Sequence, residues 1–308
     1  MLQINTTIMK KQKYIYCVIL SLGLLAICNY AFSQSTTSSQ GLVKVTDEIF
    51  VLSRYGCNIA IVVGKDGLLT VDSGYKGAAL KTDSVISTIS KLPIKYILDT
   101  HIHYDHLGGN KKLSEDGAVI VSHVNTRKAM LVEWNMPEIA GIKYPIVPPY
   151  SKEFLPTICF QDSLTVYFEN EVIKCIHYPN GHSDGDVIYF FQKTNLIHTG
   201  DLFLSNGFPI IGSSIDGYIE AVDNIIKICN DKTIIVPGHG PVSNRKELQD
   251  YRIMLFEGRN RIDKLVKEGK TVDEVIAANP TKDLFKGGKS WLPDKLFVAT
   301  VHMDLSKK

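Results

Sequence analysis

The feature that most constrains this chain is a short run of histidine and aspartate set directly after a strand. Ile94 to Leu98 reads as that strand, and it leads into Thr100-His101-Ile102-His103-Tyr104-Asp105-His106-Leu107-Gly108-Gly109. In extended or looping backbone His101 and His103 can aim at one point. Asp105 and His106 lie just beyond, where the chain turns into a helix, and can aim at a second. Gly108 and Gly109 leave room for the turn and for close backbone approach. Imidazole and carboxylate together suit Zn²⁺ or another borderline divalent ion.

Two further histidine loops also follow strands: Asn180-Gly181-His182-Ser183-Asp184-Gly185-Asp186 and Val236-Pro237-Gly238-His239-Gly240-Pro241. Between them His198-Thr199-Gly200-Asp201 stands at another strand end. His182 can complete a three-histidine site with His101 and His103. His239 can join Asp105 and His106, and Asp201, with two oxygens, can bridge both ions. These residues would hold two metals with room for a shared hydroxide. His123, His177 and His302 read as surface or hydrogen-bonding residues, and His198 as a support for the site.

The remaining pattern places these loops on an α/β frame. Lys44 to Leu52 reads as one strand. Asn58 to Val63 and Leu68 to Asp72 form a hairpin around Gly64-Lys65-Asp66-Gly67, with glycine supplying positive φ in the turn. Lys76 to Lys91 reads as a helix with Leu80, Val85, Ile86 and Ile89 on one face, and Ala118 to Val121 as a strand. Glu133 to Pro156 holds five prolines with Trp134, Tyr144, Tyr150 and Phe154 and no period, so it reads as a long loop that shapes a pocket. Two more hairpins follow, over residues 164–177 and 187–198. Ile215, Tyr218, Ile219, Val222, Ile225, Ile226 and Cys229 form one buried helical stripe, with a capping box from Ser213 to Asp216. Thr233 to Val236 is a strand, Asn244 to Gly269 a long charged helix, and two short helices close the chain. The two halves look alike, each with strands, a helix and a histidine loop. The expected architecture is one domain of two sheets packed face to face with helices outside.

Composition excludes several classes. The chain has 308 residues, of which 44% are hydrophobic and 21% charged, with a net charge of +2. That is globular composition, with no electrostatic footprint for nucleic acid. Lys10, Lys11 and Lys13, the apolar run Cys17 to Cys28, and Ala31-Phe32-Ser33 make a secretory signal peptide over residues 1–33, with cleavage near Ser33. The run is too short to span a bilayer. Lipoprotein anchoring at Cys28 is disfavoured by the large Ile27. The expected organisation is therefore a signal peptide (1–33), a linker (34–42) and one folded domain (43–308), with a periplasmic or secreted location. Cys57, Cys159, Cys175 and Cys229 remain and form no C-x-x-C pair. Export permits disulfides, and four buried free thiols fit the sequence equally well.

The H-x-H-x-D-H run with its later glycine-histidine and glycine-aspartate loops resembles the metallo-β-lactamase-fold hydrolases, over about Val45 to Gly240. The resemblance implies a four-layer αββα sandwich with the site at one edge of the sheets. It implies His101, His103 and His182 on one zinc, Asp105, His106 and His239 on a second, and Asp201 bridging. Asp72, in Val71-Asp72-Ser73-Gly74, matches an aspartate that supports the metal loop from behind. The expected chemistry is hydrolysis of a small-molecule ester, thioester, lactone, lactam or phosphoester by a zinc-bound hydroxide that Asp105 orients. A bridging aspartate is typical of thioesterases, lactonases and phosphodiesterases in the family, whereas export and the ligand set are shared with β-lactamases. A dedicated periplasmic β-lactamase is thus the alternative. The glyoxalase II likeness is confined to the metal motifs. A non-hydrolytic redox protein is a second alternative, disfavoured because diiron relatives carry Glu where this chain has His103. Trp134, Tyr144, Tyr150 and the segment Leu202 to Pro209 are candidates for lining the site, with packing an equal reading for the three aromatics, and Tyr104 could donate to a leaving group or simply pack.

Overall fold

The computed structural model describes residues 41–288 and 290–307. The first sheet opens with four antiparallel strands, β1 (Leu42–Lys44), β2 (Ile49–Leu52), β3 (Ile59–Val63) and β4 (Leu68–Val71). Three parallel strands extend it in sequence order, β5 (Ile94–Leu98), β6 (Val119–His123) and β7 (Ile158–Phe160). Helix α1 (Ala79–Ile89) connects β4 to β5. Two one-turn helices, α2 (Tyr104–Leu107) and α3 (Asn110–Leu113), follow β5, and α4 (Val124–Met130) follows β6.

The second sheet has six strands in the order β13-β12-β11-β10-β9-β8. They are β8 (Ser163–Phe168), β9 (Glu171–His177), β10 (Val187–Phe191), β11 (Leu196–His198), β12 (Ile234–Val236) and β13 (Ser243–Asn244). All its pairs are antiparallel except β11 with β12. Helices α5 (Ile215–Ile228), α6 (Arg245–Lys267), α7 (Val272–Ala278) and α8 (Asp294–Leu305) complete the chain.

Side-chain alternation along the strands builds the layers. In β3, Ala60 and Val62 face the second sheet and meet a cluster containing Ile173, Tyr189 and Phe191. Ile59 and Ile61 face the other way, onto Val85 and Ile86 of α1. In β10, Val187, Tyr189 and Phe191 point between the sheets, while Ile188 packs with Tyr218 and Val222 of α5. Both faces of each sheet are covered, which is why these strands are continuous apolar runs. The layers are helix, sheet, sheet, helix, the αββα order. Each buried Ile or Leu stabilises them by roughly 1.5–3 kcal/mol, and truncating Phe191 to Ala would cost about 3–5 kcal/mol.

Several local expectations are corrected. The single strand over 44–52 is two. Val45 and Thr46 both donate their N–H to Ile49 O, and the Thr46 hydroxyl accepts from Glu48 N and Ile49 N, so the chain reverses there. Leu42, assigned to the linker, is the first residue of β1 and pairs with Leu52. Neither Gly64 nor Gly67 has positive φ. They are small because a Cβ would come within 2.7 Å of Glu169 Oε1 at Gly64 and 2.4 Å of Lys95 Cγ at Gly67. Residues 76–78 form a 3₁₀ turn before α1, which turns Leu80 out to 74% exposure, and Thr82 takes a buried place with Val85 and Ile86. Ser214, not Ser213, caps α5, accepting from Gly217 N, and the Ser213 hydroxyl donates to Asp184 instead. The proline-rich segment is tied by two backbone bridges, Trp134 to Val147 and Ile139 to Ile142. All four described cysteines are free, and Cys159 is exposed rather than buried. The expected signal peptide and residues 34–40 of the expected linker lie outside the described residues. No helix among the described residues is long and apolar enough to cross a membrane.

Candidate metal centre

Every sequence-predicted ligand lies just past a strand, at one end of the two sheets. His101 and His103 follow β5, and α2 carries Asp105 and His106. His182 sits in the β9–β10 loop, Asp201 in a 3₁₀ turn after β11, and His239 after β12. Cross-sheet hydrogen bonds fix these ends against one another. Val187 N–H donates to Thr100 O at 2.9 Å, and the Tyr189 hydroxyl to Asp99 O at 2.7 Å. The Asn58 side chain donates to both Pro237 O and Gly240 O at 2.8 Å, bracketing His239.

The seven side chains converge into two groups that share Asp201. His103 Nδ1 lies 3.0 Å from His101 Nε2 and 2.9 Å from His182 Nε2. His106 Nε2 lies 3.3 Å from His239 Nε2, and Asp105 Oδ2 is 3.4 Å from the latter. Asp201 Oδ2 faces the first group, 3.4 Å from His182 Nε2. Its Oδ1 faces the second, 3.2 Å from His106 Nε2 and 3.3 Å from His239 Nε2. These are separations on the scale of the roughly 3.3 Å between neighbouring ligand atoms of a tetrahedral ion with bonds near 2.05 Å.

A second layer of hydrogen bonds sets which nitrogen of each ring faces inward. Asp72, at φ 64°, accepts from Thr100 N through Oδ1 at 2.8 Å. Its Oδ2 accepts from the Thr100 hydroxyl at 2.9 Å and from His106 Nδ1–H at 2.8 Å. Because the Thr100 hydroxyl donates to Asp72, it accepts from His101 Nδ1–H, 3.0 Å away. His182 Nδ1–H donates to Ile210 O at 2.9 Å. The Nε2 lone pairs of His101 and His182 are therefore turned toward the centre. Both face His103 Nδ1, which has at most one proton to give. Asp201 Oδ1 is buried with no hydrogen-bond partner. Converging lone pairs and an orphaned carboxylate oxygen fit a cation, and a nitrogen and oxygen donor set without thiolate fits zinc.

Charge follows the same division. Burial, reinforced by its charged neighbours, holds His101 well below the usual imidazole range and brings His103 down to about 3. Burial alone would pull His106 down too, but Cys57 and then the carboxylates of Asp201, Asp72 and Asp105 raise it well above the ordinary value. Cys57 beside it is pushed up to about 12 by burial and stays a neutral thiol. His239 goes the same way, to about 9, because Asp201 and Asp105 outweigh burial. Asp105 and Asp201 are buried, yet the imidazoles around them hold Asp105 down to about 2 and Asp201 well below the carboxylate range. The second group is thus a concentration of negative charge that calls for positive partners.

Above the cluster is a pocket of about 250 Å³. Trp134, Met136, Tyr144, Ile210, Trp291 and Leu292 form its apolar walls, over a floor of His103, Asp105, His182 and Asp201. Tyr104 lines it too. Tyr150 lies instead in a small recess behind Trp134. Of Leu202 to Pro209 only Leu204 reaches the pocket, because Leu202, Phe203 and Phe208 are core residues. Trp291 was not anticipated, and its only sequence signal is a scarce tryptophan in a glycine- and proline-flanked turn. The other histidines lie elsewhere. His123 and His177 stack on each other at 3.6 Å, His302 bonds Lys270 O, and His198 donates to Asn58 O beneath the site.

The sequence profile of the Metallo-beta-lactamase superfamily matches residues 52–242. The chain is 31% identical over 150 residues to a hydroxyacylglutathione hydrolase of Pelagibacter ubique, covering 47% of this chain and 52% of that protein. It is 25% identical over 186 residues to a metallo-beta-lactamase type 2 of Bacillus cereus, covering 58% and 65%. The chain thus matches half to two thirds of the length of these relatives. Among solved structures, a metallo-beta-lactamase from Pontibacter korlensis superposes with a TM-score of 0.58 at 18% identity, covering 70% of this chain and 98% of that one. A stereoselective inverting sec-alkylsulfatase from Pseudomonas sp. superposes with a TM-score of 0.62 at 15% identity, over 87% of this chain and 50% of that one. The profile match spans most of both sheets and includes all seven converging side chains, so this chain belongs to the metallo-beta-lactamase superfamily.

Proposed function

We propose that this superfamily hydrolase binds two zinc ions and cleaves a small-molecule ester, thioester, lactone or lactam. His101, His103 and His182 hold the first ion, Asp105, His106 and His239 the second, and Asp201 bridges. The observation that carries the reading is Asp201, whose two oxygens face the two histidine groups separately. Zinc, when bound, brings the pKa of a coordinated water to about 7 and polarises a substrate carbonyl. The chain's own residues do the positioning. Asp105 lines the pocket and orients the attacking water through its carboxylate. The Asp72–Thr100 pair holds two imidazoles in their metal-ready tautomers. The apolar walls exclude bulk water from the reacting carbonyl. Likeness to a metallo-beta-lactamase type 2 supports lactam cleavage as a second reading.

Residues 1–33 support an exported hydrolase, and Edman sequencing of the secreted chain tests cleavage near Ser33. For the chemistry, the test is metal content by plasma mass spectrometry, followed by turnover of a chromogenic cephalosporin, a homoserine lactone, a lactoylglutathione thioester and an aryl ester with and without chelator. Two zinc per chain and chelator-sensitive turnover support the reading. A His101→Ala chain that keeps its zinc and its activity refutes it.

A further inference from the structure

The chain contains two tryptophans, and both stand over the metal centre. Trp134 packs edge-on against His103 of the first group, with centroids 5.8 Å apart. Trp291 stacks face to face on His239 of the second, at 3.9 Å with the planes 21° apart. One indole thus touches each half of the cluster. Trp291 keeps 46% of its surface exposed. Its backbone is nevertheless anchored, since Trp291 N–H donates to Asn206 O at 2.9 Å and Phe208 N–H donates to Ser290 Oγ at 3.3 Å. An exposed indole on a fixed backbone is a contact surface rather than a frayed end.

Beyond Trp291 lies a second cavity of about 890 Å³. Its walls include Ser53, Arg54, Asn206, Ser243 and Glu247, so it is richer in hydrogen-bonding groups than the pocket over the cluster. The two spaces share Gly56 and Trp291. Gly56, at φ 112°, admits no side chain, because a Cβ there would lie 2.6 Å from Asp105 O. Gly56 and Trp291 therefore stand where the two spaces adjoin.

We propose that Trp291 is the specificity-determining residue of this site and that its substrate is bipartite. An apolar acyl group occupies the pocket beside Trp134, Met136, Tyr144 and Ile210. A larger alcohol, thiol or amine component, rich in hydrogen-bonding groups, passes between Trp291 and Gly56 into the second cavity. The volumes and linings assign the halves: the smaller, more apolar space suits an acyl chain, and the larger, more polar one suits the component richer in hydrogen-bonding groups. This rests on the hydrolase reading above. In the reaction the bond between the acyl carbon and the leaving heteroatom breaks, water supplies the new carbon–oxygen bond, and its two protons end on the heteroatom and in solvent.

The test uses two ester and thioester series with the zinc-loaded full chain, one varying the leaving component at constant acyl group and one the reverse. In Trp291→Ala the kcat/KM ratio of bulky to small leaving components should rise about tenfold, carried by KM, and the acyl series should move less than twofold. Trp291→Phe, which keeps a ring on His239, should restore most of the wild-type ratio. Binding is read independently of turnover by fluorescence. In Trp134→Phe the remaining Trp291 emission should respond to the free alcohol, thiol or amine. In Trp291→Phe the Trp134 emission should respond to the free carboxylic acid. Equal shifts in both series, or no Trp291 response to any leaving component at millimolar concentration, would overturn the proposal. Wild-type inactivity toward every ester with these fluorescence responses intact would overturn the hydrolase reading and leave the divided site standing.

Discussion

Replacing Asp72 with Asn should disable both proposed metal sites without touching a proposed ligand. Asp72 is fully buried and sits at φ 64°, a left-handed conformation that Asn tolerates, so the backbone has no reason to move. What changes is the donor pattern. Oδ1 accepts from Thr100 N, and Oδ2 accepts from Thr100 Oγ1 and His106 Nδ1. If the amide oxygen takes the Oδ1 place, the amide NH₂ faces His106 Nδ1 at 2.8 Å and forces the proton onto Nε2, where it blocks metal binding. The same NH₂ donates to the Thr100 hydroxyl, which then donates to His101 Nδ1 and moves that ring's proton to Nε2 as well. The opposite flip sets NH₂ against the Thr100 backbone N–H at 2.8 Å. Neither arrangement preserves the centre. Outer-shell partners of this kind are worth about 10–100-fold in metal affinity, or roughly 1.4–2.7 kcal/mol. Loss of the charge-assisted bonds should cost a further 1.5–3 kcal/mol or so of stability each. Competition with a chromophoric chelator measures the affinity, and ¹⁵N shifts of the imidazoles report the tautomers. Zinc binding within twofold of wild type at both sites, with the tautomers unchanged, would show that this network does not control the ligands.

Gly238→Ala should displace the bridging carboxylate, because a Cβ would sit 1.9 Å from Asp201 Oδ1 and 2.8 Å from Gly200 C. Metal content should fall below half of wild type with a loss of about 1–3 kcal/mol in stability, measured by plasma mass spectrometry and urea unfolding. Asp186 is raised to about 6 by burial, although His182 and the Ser183 bonds act against the shift. Its proton is therefore held in the folded chain after the unfolded chain has released it, so its contribution to stability falls as pH rises from about 4 to about 6 and is flat above. Asp186→Asn should remove about 3 kcal/mol of that decline in metal-free protein, and parallel stability–pH curves for the two chains would contradict the assignment. Stripping the proposed zinc, held at 100 times its Kd, should lower stability by about 2.7 kcal/mol, seen as a drop in melting temperature of roughly 5 °C or more.

The αββα layers were legible because strands buried on both faces are continuous apolar runs, and the stripe on α5 has a helical period that no strand shares. The positions of the converging side chains were legible for a different reason: each lies directly beyond such a run, so predicting the strand predicts where its loop emerges. What stayed hidden is set by contacts distant in sequence. Gly64 and Gly67 look like turn glycines, but Glu169 and Lys95 are what leave them no room for a side chain. Leu80 satisfies the helical stripe on paper, yet the 3₁₀ turn over 76–78 rotates it into solvent. Leu202, Phe203 and Phe208 sit beside a ligand in sequence and belong to the helical core in space. Trp291 lies 52 residues after His239, and nothing local announces that the two rings stack.

The division between the sheets and the loops also fixes what can vary independently. His101, His103, Asp105 and His106 come from the first sheet, and His182, Asp201 and His239 from the second. An ion held between them ties the sheets together, so metal binding and sheet–sheet packing must be coupled. Asn58 makes the coupling concrete. It leads into β3 of the first sheet, its side chain holds the carbonyls on either side of His239, and its own carbonyl accepts from His198 of the second sheet. Asn58→Ala should therefore lower zinc affinity and global stability together. The pocket walls, by contrast, come from Trp134, Met136 and Tyr144 in one loop and Trp291 and Leu292 in another, and none of these belongs to the converging ligand groups. Substitutions there should alter which substrates are accepted while zinc content stays at wild-type level. Walls and ligands thus separate experimentally: Trp134→Phe that lost zinc as Asn58→Ala does would mean that the aromatic wall is part of the metal framework after all.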